Sequence, residues 1–269
     1  MKPTASQLKV KKVARKNATP SFVISDGEGS DCDIFINDEA RRKFSDSISK
    51  RGIFAERGFL IDRADETLGH PESISSLIIN KSWEKLCQHP SSYNTQLVKE
   101  FYSNLRLPSK KSEVMVRGSL ISYSEGTINM MFGLKATDGE YEETLLRADD
   151  TEYEVYMQTL CQPHTTWVEK DGEKSVRRMD LLPEAKAWYQ FIKHSIRPTT
   201  HNETVNKSRL ALFHCFTAGC DINFGKIIMQ EIQLCATKKE GMLYYPCLIT
   251  SLCMRQGVRA RDTDEIGKP

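Results

Sequence analysis

The chain has no window approaching the roughly 18 consecutive apolar residues that a membrane-spanning helix requires, and its first residues lack the apolar stretch of a secretory signal. These two absences predict an intracellular protein, in the nucleus or cytoplasm, that is not secreted and has no membrane contact. A glycine-rich phosphate loop is also missing. Gly27-Glu28-Gly29 lies in an acidic stretch and neither follows a strand nor opens a helix, which argues against nucleotide hydrolysis. No two cysteines stand at C-x2-C spacing, and the eight present are scattered through apolar segments, as in a reducing compartment and unlike a disulfide framework. Without secretion, the Asn-x-Ser/Thr triplets at Asn17, Asn80, Asn202 and Asn206 are chance matches to a glycosylation pattern.

What is present is ordinary globular material: 269 residues, 39% hydrophobic and 28% charged, enough for one or two domains with a sizeable core. The net charge of +2 conceals local polarity. Met1 to Ser25 holds Lys2, Lys9, Lys11, Lys12, Arg15 and Lys16 with no acid, and the sign then reverses through Asp26, Glu28, Asp31, Asp33, Asp38 and Glu39. Residues 1–36 bury too little apolar surface to offset the entropy of ordering and are expected to be a disordered tail. Within it Lys9, Lys11, Lys12, Arg15 and Lys16 are candidate nucleic-acid or nuclear-import contacts.

From residue 37 to 258 the pattern is mainly α: a multi-helix bundle with one or two small β-hairpins, followed by a charged C-terminal tail at 259–269. Asn37 is placed to cap a helix running to about Lys50, with Asp38 and Glu39 in its first turn. Two or three helices follow between Ile74 and Leu105, the clearest presenting Leu97, Val98, Phe101, Tyr102 and Leu105 on one face before Pro108. Val114 to Tyr123 reads as a strand or hairpin kinked at Gly118, and Ser124 as the cap of a short helix ending near Gly133. The acidic middle, Asp138 to Glu154, is expected to be a solvated loop leading into a helix, and Asp171-Gly172 to turn a second hairpin.

Helical signals strengthen after Pro183, which suits a first helical position. Trp188, Phe191 and Ile192 form the apolar stripe of that helix, and Lys186, Gln190 and Lys193 the wet one. A helix from about Glu203 to Ala218 is apolar nearly all round in its second half and stops at Gly219. Another runs from Ile222 to about Ala236 with Lys226, Gln230 and Gln233 outside and Phe224, Ile228, Ile232 and Cys235 inside. The last, from Pro246 to before Gly257, carries only Arg255 as a charge and is expected at the bundle centre. Trp188, Phe191, Leu212, Phe216, Ile228, Ile232, Leu248 and Leu252 are the expected core, packed so that no pocket brings reactive groups together.

Three segments taken in order, VMVRGSLISYSEGTIN, DLLPEAKAWYQFIKHSIRPTTH and YYPCLITSLCMRQGV, resemble the plant transposon protein domain, a family of plant genomes found beside retroelement-derived genes. KRGIFAERGF resembles the opening segment of that family, so the similarity covers roughly residues 38 to 258. The resemblance implies an origin in a mobile element. It brings no catalytic residue to carry over and no transposase mechanism, since three carboxylates on a mixed sheet holding two metal ions find no matching run of strands here.

The residues that invite chemistry are few. Cys161-Gln162-Pro163-His164, and His214-Cys215 with Cys220, supply soft ligands at short separations, but a cysteine in an apolar helix is more often a small hydrophobe than a zinc ligand. Cys215 with His194 is a Cys/His pair of a kind that any chain with eight cysteines and six histidines yields. No catalytic residue, cofactor or metal is therefore expected, and the protein is read as a non-enzyme. Its leading role is an interaction or assembly module, similar to a structural protein of a retroelement, that contacts copies of itself or other proteins. The alternative is a nuclear nucleic-acid-binding protein, since residues 177–257 hold eleven Lys and Arg against six Asp and Glu, an excess of +5. The charged ending leaves open a fragment of a longer element-encoded product.

The assigned helix faces are testable by thermal melting. Leu248→Ala, a buried truncation costing about 2 to 5 kcal/mol, should lower the melting temperature far more than Lys186→Ala. Equal effects would refute the faces.

Overall fold

The computed structural model describes residues 34–58, 72–88, 90–109, 111–137 and 139–269. The expected tail up to residue 33, with Lys9, Lys11, Lys12, Arg15 and Lys16, lies outside the described residues. Among those described, the chain is mainly helical, with eleven α-helices and small antiparallel sheets.

Caps set the first elements. Asn37 accepts a hydrogen bond from the Ala40 N–H at 2.9 Å and starts α1 (Asp38–Asp46). The helix expected to reach Lys50 breaks at Ser47, and a separate 3-10 turn (Ile48–Lys50) carries the fully buried Ile48 inward. After α2 (Glu72–Asn80) and α3 (Glu84–Cys87) comes β1 (Tyr93–Asn94), whose Asn94 caps α4 (Thr95–Asn104). The expected stripe of α4 is buried along its length. β2 (Glu113–Val116) and β3 (Ser119–Ser122) pair around an Arg117-Gly118 turn in which both residues have positive φ. Ser124 then caps α5 (Glu125–Phe132), and Gly133 at φ 68° ends it as a left-handed stop.

The acidic middle departs from expectation. The solvated loop expected at its start folds into α6 (Glu140–Arg147), which is followed by the expected helix, α7 (Asp150–Leu160). Glu140, Glu143, Asp149, Asp150 and Glu152 are exposed, while Tyr141, Tyr153, Tyr156, Met157 and Leu160 supply a buried stripe. A reciprocal cap starts α7: Asp149 accepts from the N–H groups of Thr151 and Glu152, and Glu152 answers the Asp149 N–H.

The second hairpin, β4 (Val168–Lys170) and β5 (Glu173–Arg177), turns at Asp171-Gly172 as expected. It gains a third strand, β6 (Thr204–Asn206), from residues assigned to a helix start. β-Branched Thr204 and Val205 take the strand, and Asn206 caps the helix that follows. Pro183 opens α8 (Pro183–Phe191), which passes into a π-helical turn at Ile192–Ile196. The wider turn changes the register, so Lys193, expected on the wet face with Lys186 and Gln190, is buried.

α9 (Lys207–Ala218), α10 (Phe224–Thr237) and α11 (Pro246–Arg255) complete the core. All eight expected core residues are at most 5% exposed. Trp188 stacks on Phe216 at 4.7 Å, and Trp83 meets Phe216 and Phe224 edge-on, so aromatic packing joins α8, α9 and α10 to the approach to α3. Residues 259–269 run back along the body, where β7 (Ile266–Gly267) pairs antiparallel with β1.

The crossing of α5 and α10 depends on a missing side chain. A Cβ on Gly225 would lie 2.3 Å from the Glu125 carbonyl oxygen. The contact is closed by Asn129, which accepts from the Gly225 N–H at 2.8 Å and donates to Asn223 at 2.9 Å. Gly126, in α5, has open space around its Cβ position. Gly225→Ala should therefore destabilise the fold by about 1 to 3 kcal/mol or more through overpacking, whereas Gly126→Ala should stabilise it by up to about 1 kcal/mol. Urea unfolding of the two variants checks the pair, and the same sign for both would contradict this crossing.

Candidate functional site: a carboxylate chamber and a cationic cluster

Arg51 positions the first site. Its buried guanidinium donates to the carbonyl oxygens of Cys235 (3.1 Å), Lys238 (3.0 Å), Gly241 (3.1 Å) and Met242 (2.9 Å), around the C-terminal end of α10. Two backbone bonds, Phe54 N–H to Leu243 and Leu243 N–H to Gly52, lay the chain beside residue 243. Glu56 is thereby carried to the start of α11, where its carboxylate accepts from the Cys247 N–H at 2.6 Å.

Glu56 is buried, and burial pushes its pKa up to about 7 against the opposing pull of hydrogen bonds from Cys247 and the Leu248 backbone. The Cys247 thiol donates to the Ser91 carbonyl oxygen at 2.9 Å. Burial, then the neighbouring Glu56, drives its pKa far above the ordinary thiol range. Both groups border a cavity of about 170 Å³ together with Arg57, Lys85, Ser91 and Ser195. The sequence predicted no pocket in which reactive groups meet, and here a carboxylate and a thiol do meet. Their electrostatics have the wrong sign for nucleophilic catalysis, which needs the thiolate favoured by a cation or an imidazolium.

The other sulfur and imidazole candidates are similarly closed. Cys161 is buried with its thiol pushed up to about 11, while His164 is exposed. His214 stacks on Tyr156 at 4.1 Å, and burial lowers its pKa. Cys215 and Cys220 do come together, and burial followed by Cys220 raises the Cys215 thiol to about 12. His194 lies on Phe54 at 5.5 Å, and Cys215 against Thr144, so the pair written from sequence rests on different neighbours. Among the described residues no three His, Cys, Asp or Glu are arranged to hold a metal ion. No helix among them is long and apolar enough to cross a membrane.

Sequence reasoning missed the buried ion networks. Arg117, in the β2–β3 turn, pairs with Glu100 of α4 at 3.3 Å and with Asp264 at 2.8 Å, and also donates to the Arg259 carbonyl oxygen. Hydrogen bonds from Arg117, the Arg261 backbone and Asn94 outweigh burial and hold the Asp264 carboxyl down at about 2. Arg197 pairs with Glu231 of α10 at 2.7 Å and donates to the Tyr141 hydroxyl. The available signal was Glu231 itself, an acid on the face of α10 shared by Ile227 and Ile228. A second missed feature is cationic: Lys193, buried by the π-turn, donates to the Asn202 side chain and lies near Arg57 and Arg178, both exposed.

Taken together, the described residues form a helix-rich body with small antiparallel hairpins, a carboxylate chamber beside Arg51 and a cationic cluster at the π-turn. Residues 79–259 match the sequence profile of the family described as "Putative plant retrotransposon-related domain". This is well over half of the chain, which therefore belongs to that family and is retrotransposon-related. No curated protein and no solved structure matches it.

Glu56 has a consequence for stability. Between about pH 4.5 and 7 the unfolded chain releases this proton while the folded chain keeps it, so stability falls as pH rises through that window and then levels off. The full penalty is about 3 kcal/mol at 1.36 kcal/mol per unit. Glu56→Gln retains an acceptor for the Cys247 N–H, and should flatten the stability profile between pH 5 and 8 by that amount in chemical denaturation. A variant profile parallel to the parent would rule out Glu56 as the titrating group.

Proposed function

We propose that this retrotransposon-related chain is a non-enzymatic interaction module that assembles with copies of itself. The observation that carries this reading is the contrast between its interior and its surface. Inside, the thiols of Cys87, Cys161, Cys215, Cys247 and Cys253 are all shifted toward the unreactive protonated form by burial. Outside, large apolar side chains stand in water: Leu146 is 87% exposed, Met179 70% and Met254 62%. Met254 follows the core face of α11, and the adjacent Arg255 reaches across to within 3.9 Å of the Met130 sulfur on α5. Methionine and arginine are enriched in interfaces, where a flexible thioether and a weakly hydrated cation desolvate cheaply.

Light scattering with size exclusion on the full chain should show a mass that rises with concentration, and Met130→Glu with Met254→Glu should reduce it to the monomer value while leaving the melting curve unchanged. A monomer at every concentration up to the millimolar range would defeat self-assembly.

A further inference from the structure

The cluster around the π-helical turn is an arrangement that folding alone does not favour. Lys193 is 8% exposed, yet its ammonium is answered by a neutral amide, the Asn202 side chain. Two arginines lie around the same turn. Arg57 is tied to the same turn by a 2.7 Å hydrogen bond from the Ser195 hydroxyl to its carbonyl oxygen. Arg178 is tied to the neighbouring strand by its N–H to the Glu203 carbonyl oxygen at 2.8 Å. Among the described residues, neither arginine nor Lys193 forms an ion pair with a carboxylate. Both Arg57 and Arg178 act on Lys193 to weaken its hold on its proton, in addition to burial. Elsewhere Arg117 has two carboxylates and Arg197 has one. π-Turns recur at functional sites, and local rules are most often broken where binding is the gain.

We infer that Arg57, Lys193 and Arg178 form a phosphate-binding surface that takes the backbone of a nucleic acid. Its partner supplies the missing negative charge: successive phosphates lie against the two exposed arginines, and the recessed ammonium of the same cluster adds to the field. Guanidiniums grip phosphate oxygens in a planar, two-pronged fashion, and contacts of this kind fix position without reading sequence. The proposal goes beyond the assembly role.

The test uses the full chain and fluorescein-labelled oligonucleotides, one single-stranded RNA and one duplex DNA, titrated from about 20 to 200 mM salt. Arg57→Gln with Arg178→Gln should weaken binding at least about tenfold near 50 mM salt and lower the salt slope by about 1.4 on the single strand, at about 0.7 for each phosphate no longer neutralised. Lys239→Gln with Lys268→Gln, exposed residues elsewhere that remove the same net charge, should change affinity less than about threefold. Lys193→Gln should weaken binding while raising the melting temperature, because it removes a buried like charge. Three results would each overturn the proposal: equal losses in the two double variants, no binding by the parent at 20 mM salt, or binding to phosphatidylserine vesicles but not to either oligonucleotide.

Discussion

A guanidinium taken out of water must find a partner for its donors, and three such groups hold this fold together across long sequence distances. Removing one partner of a buried ion pair leaves an uncompensated charge, which costs far more than the pair contributes over an apolar replacement. Arg51 ties the N-terminal approach to the end of α10, Arg117 ties the first hairpin to α4 and the C-terminal segment, and Arg197 ties the π-turn to α10 and α6. Arg51 and Asp264 lie outside residues 79–259, yet each is bonded into that segment. The polar stitches therefore join the family region to its flanks, and the apolar helices α9 to α11 fill the space between.

The helices were the most legible part of the sequence. Their stops and starts are chemically explicit: Asn37 and Ser124 as caps, Pro183 and Pro246 as first residues, Gly133 and Gly219 as left-handed ends. The acidic middle was misread because charge density masked a tyrosine stripe, although the reciprocal Asp149 and Glu152 cap was there to be seen. Strand β6 was hidden because three residues, Thr204 to Asn206, carry too little pattern to declare themselves without the hairpin they pair with. Lys193 could not be placed at all from a 3.6-residue period, since a π-turn shifts every later side chain.

The burial of Cys215 and Cys235 was legible from the apolar helices that carry them. The chamber and the ion networks depend on tertiary neighbours: Glu56 reaches Cys247 across 191 residues and Arg117 reaches Asp264 across 147. Such pairings follow from the path that Arg51 and the Phe54–Leu243 contact impose on the chain, and no local periodicity encodes them. The same path leaves Arg57 at the surface.

The stapling account is tested most directly by a double-mutant cycle on Arg117 and Asp264. Urea unfolding of Arg117→Met, Asp264→Leu and the combination should show each single change costing about 3 kcal/mol and the double costing less than the two together by at least about 1.5 kcal/mol, the mark of a shared buried pair. Strict additivity of the two changes would contradict it.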